Sequence, residues 1–165
     1  MRKLWLALLI VSVSLGAVAP AAHAIGVYGI WWMPDESDDD GFGIGIKDKK
    51  SLTPLISIDG RVSYVTFDSP DAAIIPVEAT GLVHIGMLYG GVGVGYYFFS
   101  GDANIESVLG WYIMAGIEIL PGPVSVFGEV KWQSLEPDLD IPTGGSLDFN
   151  SIVLHACATF SLGGM

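Results

Sequence analysis

The sequence predicts an all-β fold: eight antiparallel strands in up-and-down order, closed into a barrel that crosses a membrane. Three observations predict it. Apolar and non-apolar residues alternate with period two through most of the chain, the pattern of strands with two unlike faces. The apolar face so defined runs through seven strands almost without charge. The connections between strands alternate between long and short. Composition agrees: of 165 residues, 51% are hydrophobic, 22 are glycine and only 15% are charged, against about 25% charged in ordinary soluble domains. Such a chain is too apolar to be disordered. Its single cysteine, Cys157, excludes a disulfide scaffold. A net charge of −11 argues against direct nucleic-acid binding, which needs basic patches.

Residues 1–24 read as a cleaved secretory signal peptide. Arg2 and Lys3 form a positive start, residues 4–18 are an apolar run, and Ala22-His23-Ala24 is a small-x-small cleavage pattern. The run is shorter than the ~20 residues a membrane span needs. Cleavage after Ala24 leaves 25–165 as the barrel. Losing Arg2 and Lys3 takes Lys+Arg from 7 to 5 against 18 acids, a net charge of −13. Nothing after residue 24 offers ~18 uninterrupted apolar residues, so no helical span is expected.

The expected strands are 25–34, 41–48, 55–67, 74–86, 88–99, 107–120, 123–134 and 147–160. In the second, Phe42, Ile44 and Ile46 alternate with Gly41, Gly43, Gly45 and Lys47. In the third, Ile56, Ile58, Val62 and Tyr64 alternate with Ser57, Asp59, Arg61 and Ser63. In the fourth, Ile75, Val77, Ala79, Val83 and Ile85 oppose Pro76, Glu78, Thr80 and His84. The fifth sets Val92, Val94, Tyr96 and Phe98 against Gly91, Gly93, Gly95 and Tyr97. The sixth sets Trp111, Ile113, Ala115, Ile117 and Ile119 against Tyr112, Met114, Gly116 and Glu118. Val124, Val126, Val130 and Trp132 oppose Ser125, Phe127, Glu129 and Lys131 in the seventh. Ile152, Leu154, Ala156, Ala158 and Phe160 oppose Ser151, Val153, His155 and Cys157 in the last. The first strand is apolar on both faces and has no readable phase.

Glycines and a few ions do not make a soluble exterior, but they suit the crowded interior of a small barrel. The apolar face is therefore expected to meet lipid. Strands cross a bilayer only as closed barrels, because no water satisfies a free edge there. Connection lengths point the same way, since bacterial outer-membrane barrels have long external loops and short periplasmic turns. Connections 35–40, 68–73, 100–106 and 135–146 are long, while Met87 and Pro121-Gly122 are short; 48–54 is longer than the rule prefers. The long connections and their margins hold 13 of the 18 acids: Asp35, Glu36, Asp38, Asp39, Asp40, Asp68, Asp71, Asp102, Glu106, Glu136, Asp138, Asp140 and Asp148. Lys47, Lys49 and Lys50 sit at one short-side turn. On the apolar phase Phe42, Tyr64, Tyr96, Phe98, Trp111 and Trp132 all fall at the loop end of their strands, as an aromatic girdle at a membrane interface would.

With the signal peptide, the glycine-alternating strands, the run from Val126 to Trp132 before the last long loop, and a last strand reaching Phe160, the chain resembles the small eight-stranded bacterial outer-membrane β-barrels, such as the OmpA transmembrane domain and OmpX. Two departures stand out. Ser161 to Met165 follow the aromatic residue on which such barrels usually end, and Ala158 stands where a bulky residue is usual. The resemblance implies location in the bacterial outer membrane, contact with its lipid and lipopolysaccharide, no cofactor, and a role that is structural or one of surface interaction. Eight strands leave an interior just wide enough for side chains, so no general pore is expected.

The interior charges are Asp59, Arg61, Glu78, Glu118, Glu129 and Lys131. Buried charges must be paired or neutralised. A regular hairpin brings Arg61 within diagonal reach of Glu78. Four acids against two bases predict one carboxyl protonated or bonded to His84. Glu36, Asp38 and Asp40 precede Gly41 at alternate positions and are candidates for a weak divalent-cation site, which could also bridge to lipopolysaccharide phosphates. The position where a helical calcium loop needs its bidentate Glu holds Lys47, so a solvated acidic loop is the plainer reading. An external partner of the loops is the alternative function. Catalysis, such as lipid A modification, is not expected: His84 and His155 take the interior phase, and Ser151 lies four residues, roughly 13 Å, from His155 along its strand.

Overall fold

A computed structural model describes residues 23–35, 39–67, 72–100, 107–119, 124–135 and 150–162. It contains eight strands: β1 (His23–Pro34), β2 (Gly41–Ser51), β3 (Ile56–Phe67), β4 (Ala72–Ile85), β5 (Leu88–Ser100), β6 (Val108–Ile119), β7 (Val124–Leu135) and β8 (Ser151–Leu162). Each pairs antiparallel with its sequence neighbour, and β1 pairs with β8, which closes the sheet into a barrel. Closure leaves no strand edge unpaired, and unpaired edges are the usual liability of sheets. Among the described residues no helix is long and apolar enough to cross a membrane. Of the expected signal peptide only His23 and Ala24 are described. They begin β1 and pair with Lys50 and Lys49.

All eight expected strands are present, with shifted ends. β2 runs on to Ser51, so the turn that looked too long shrinks to residues 52–55. There the Thr53 hydroxyl oxygen accepts the backbone N–H groups of Leu55 and Ile56 at 3.2 and 2.9 Å. β8 starts at Ser151, later than the expected 147. The connection from β4 to β5 is the two-residue turn 86–87, closed by the Ile85–Leu88 pair. Gly86 takes φ 64°, which a hairpin turn of this length requires of its first residue and only glycine adopts without strain. The expected turn at Pro121-Gly122 lies outside the described residues.

Burial follows the period-two pattern of the sequence. Ile44 is 73% exposed, Leu109 70% and Val94 55%, while their strand neighbours point inward. β1, apolar on both faces, acquires its phase from its partners. Ile25, Val27 and Trp31 face out; Tyr28, Ile30 and Trp32 face in. Interior glycines have a spatial reason. A Cβ at Gly45 would lie 2.4 Å from the Tyr28 ring, at Gly93 2.3 Å from Tyr112 and at Gly116 2.5 Å from Tyr89. Large rings cross the lumen over strands that have no side chain there, which is how a narrow barrel is filled at interior packing density. Pro76 is buried on β4, and the β3–β4 ladder has no pairs at Ser63 and Tyr64 opposite it, as a residue without N–H dictates.

Toward the loop end the lumen is apolar. Trp32, Val65, Ile74, Val108, Leu135 and Val153 form one buried cluster, with Phe67 and Phe99 packed on it. Trp32 meets Phe67 and Tyr97 edge-on, each at 6.1 Å between ring centres. Below this plug, toward the turns, lie the charges.

Candidate functional site

The candidate site is the ionised core of the lumen. Arg61 on β3 is 2% exposed. Its Nε donates to Asp59 at 3.0 Å and its Nη2 to Asp59 at 2.7 Å. The same guanidinium reaches across the barrel to Glu129 on β7, with Nη2 donating at 2.9 Å and Nη1 to the second oxygen. Glu129 gathers further donors: Lys47 Nζ at 3.2 Å, the Tyr89 hydroxyl at 2.6 Å and, at 3.1 Å, Nδ1 of His155. Lys47 also lies 3.3 Å over the Phe127 ring. Nearer the loop end, Lys131 pairs with Glu78, which also accepts the Tyr97 hydroxyl at 2.8 Å. Nearer the turns, Lys49 donates to Glu118 at 2.6 Å and Ser125 to the same carboxylate at 2.8 Å. Charge-assisted bonds of this kind are what make buried ions tolerable.

The geometry corrects two sequence expectations. Arg61 and Glu78 are direct cross-strand partners, yet Arg61 turns to Asp59 and Glu129 and leaves Glu78 to Lys131. The expected excess of two acids is also absent. Lys47 and Lys49, assigned to the turn because they flank it, point into the lumen, so four carboxylates (Asp59, Glu78, Glu118, Glu129) meet four cations (Lys47, Lys49, Arg61, Lys131). No carboxyl needs to borrow His84, whose Nε2 instead bonds the Ser57 hydroxyl at 2.6 Å. The signal for Lys47 was present in the sequence, since it continues the interior phase of Gly41, Gly43 and Gly45. Lys49 was hidden because the expected β2 ends at residue 48, one position short of it. His155 is the direct cross-strand partner of Glu129, and Tyr97 stands on the strand beside Glu78; Tyr89 reaches Glu129 from β5 to β7 because the barrel curves.

The Ser57–His84 pair is the arrangement nearest to nucleophile chemistry. Ser57 is 1% exposed, and among the described residues no carboxylate bonds His84. A part-buried bond between β3 and β4 accounts for it. Cys157 is a buried free thiol.

The six aromatic residues expected to form the girdle all point out of the barrel. Phe42, Tyr64 and Trp111 are exposed; Tyr96, Phe98 and Trp132 are partly so. Tyr96 meets Phe98 at 4.9 Å and Trp111 meets Trp132 at 5.2 Å, both T-shaped. Trp31 joins the row, stacked on Phe42 at 6.3 Å, a member the unphased first strand concealed. Its indole N–H donates to Asp40 at 2.8 Å. Glu36 and Asp38, the other members of the expected cation site, lie outside the described residues. No group of three potential metal ligands occurs among the described residues.

No family model and no curated protein matches the sequence. Solved structures match it by shape. Neisserial surface protein A (NspA) superposes with a TM-score of 0.66 at 11% identity, covering 89% of this chain and 100% of that one. The N-terminal β-barrel domain of Pseudomonas aeruginosa OprF gives 0.51 at 12% identity, over 84% and 97%. A de novo designed transmembrane β-barrel gives 0.51 at 11%, over 89% and 100%. The fold is that of the small eight-stranded outer-membrane barrels. At these identities the likeness speaks for the fold alone. That a designed barrel superposes as well as a natural one underlines that shape here carries no particular task.

Proposed function

We propose that the chain is a bacterial outer-membrane β-barrel protein, exported through the signal peptide at 1–24. Its role is structural or one of surface interaction through acidic external loops, and its lumen is packed rather than open. The observation that carries this reading is its inverted polarity. Isoleucine, valine, leucine and aromatic side chains cover the outside, while Arg61, Lys131, Glu78 and Glu129 are sealed inside. In water this arrangement would expose the apolar belt and bury the ions, wrong on both counts. In a bilayer the belt is solvated by acyl chains, and the closed ladder satisfies every strand. The aromatic row marks one interface, on the side where the long acidic connections leave. The filled lumen and its apolar outer plug support a closed barrel over a general pore, and the buried Ser57 supports a role without catalysis.

Fractionation of expressing cells tests the reading. The protein is expected in the outer-membrane fraction, migrating faster on SDS gels unheated than boiled, because a closed barrel resists detergent. A soluble periplasmic protein with no heat-dependent shift would overturn it and turn the apolar face into an internal core. In planar bilayers the purified barrel is expected to show no sustained pore conductance.

A further inference from the structure

Toward the loop end, the polar column of the lumen stops at groups that no described residue satisfies. Among the described residues, three buried side-chain atoms have no hydrogen-bond partner: Gln133 Nε2, Asn150 Oδ1 and Ser151 Oγ. Two of them belong to one place. Gln133 on β7 and Ser151 on β8 are direct cross-strand partners, both face inward, and they are 0% and 1% exposed. Opposed side chains on one face of an antiparallel pair stand only about 4.5–5.5 Å apart at Cβ. Asn150 precedes Ser151 and is anchored by its backbone carbonyl, which accepts the Asp35 N–H at 3.0 Å. On the same face Leu135 and Val153 are apolar and buried, and Lys131, the other neighbour of Gln133, is taken by Glu78.

Amide orientation does not remove the problem. The oxygen of Gln133 lies 3.4 Å from the Tyr97 hydroxyl. Exchanging the amide's oxygen and nitrogen would let Tyr97 accept but would leave the oxygen unpartnered instead. Native interiors leave few such groups bare, and a buried water making about three hydrogen bonds is the usual remedy. The groups here match one water: an amide that donates, a hydroxyl that does either, and a carbonyl that accepts.

We propose that Gln133 and Ser151, with the Asn150 side-chain carbonyl, hold a buried water molecule at the loop end of the lumen. It extends the polar column of Glu78, Tyr97 and Gln133 to the base of the β7–β8 connection. The site depends only on which residues face inward, so it stands or falls separately from the membrane reading.

Two measurements test it on the refolded full barrel. In a crystal structure fine enough to order waters, density is expected within hydrogen-bond distance of both the Gln133 amide and Ser151 Oγ. A direct Gln133–Ser151 bond, or rotation of both to other protein groups, overturns the site. The second measurement is the urea midpoint of Ser151→Ala, a nearly isosteric change. If the hydroxyl holds a water, its loss lowers the midpoint; if the hydroxyl is buried dry, its removal relieves an unmet bond. An unchanged or raised midpoint therefore overturns the proposal.

Discussion

Arg61→Met tests the lumen network at its most connected residue. The guanidinium serves two carboxylates, and they do not suffer equally when it goes. Glu129 keeps Lys47 at 3.2 Å, the Tyr89 hydroxyl at 2.6 Å and His155 at 3.1 Å. Among the described residues, Asp59 keeps a looser contact alone, Lys47 at 4.0 Å, with its own side chain at 0% exposure. The cost therefore falls on Asp59, and breaking a buried pair from one side costs about 3–5 kcal/mol. Adding Asp59→Asn removes the stranded charge. The double variant is expected to recover part of the loss and to settle about 1–3 kcal/mol below wild type, the cost of a neutral buried group short of partners. Adding Glu129→Gln instead should recover less, because Glu129 was still served and Asp59 would remain charged with only the looser Lys47 contact at 4.0 Å. Urea titration of the barrel refolded into lipid vesicles, read by tryptophan fluorescence, measures all three. Arg61→Met within about 0.5 kcal/mol of wild type, the range of an ordinary surface change, would refute the account. So would a double variant no better than the single. If Arg61→Met instead conducted ions in planar bilayers while staying folded, Arg61 would be a gate and its structural role would be lost.

Further predictions follow from position. Val94→Arg, on the outer face at 55% exposure, should destabilise by about 2–4 kcal/mol in bilayers if it faces mid-membrane lipid; a neutral result would mean inside and outside are exchanged. Gly93→Ala should cost about 1–3 kcal/mol, because its Cβ would lie 2.3 Å from the Tyr112 ring. Gly128→Ala, with nothing within 4 Å, should change the urea midpoint little. Lys131→Met, which leaves Glu78 buried without its cation, should cost about 3–5 kcal/mol. Lys49→Met should cost less and in a salt-dependent way, because Lys49 and Glu118 are 12% and 10% exposed at the mouth. Equal costs for the two lysine variants would count against a graded lumen.

Much of the architecture was legible because a strand has a side-chain period of two, and a barrel wall must differ on its two faces. Phe42, Ile44 and Ile46 against Gly41, Gly43 and Gly45 read correctly from the sequence alone, as did every strand with a polar or glycine face. β1 did not, because Trp31 and Trp32 are both large and apolar. Only pairing with Phe42 and Gly41 on one side, and with Leu154 and Val153 on the other, decides which tryptophan joins the interface row and which plugs the lumen.

Outside β1, which residues face inward was thus a property of the sequence, and so were eight strands and their order. Which inward residues meet was not. Arg61 bonds Glu129, 68 positions away, rather than the Glu78 beside it, and Lys47 bonds Glu129, 82 positions away. Alternation is local and repeats every two residues, so it can be read along the chain. Ion pairing across a lumen depends on closure, on strand register and on the glycine gaps that let long side chains cross, and those arise only when all eight strands are in place.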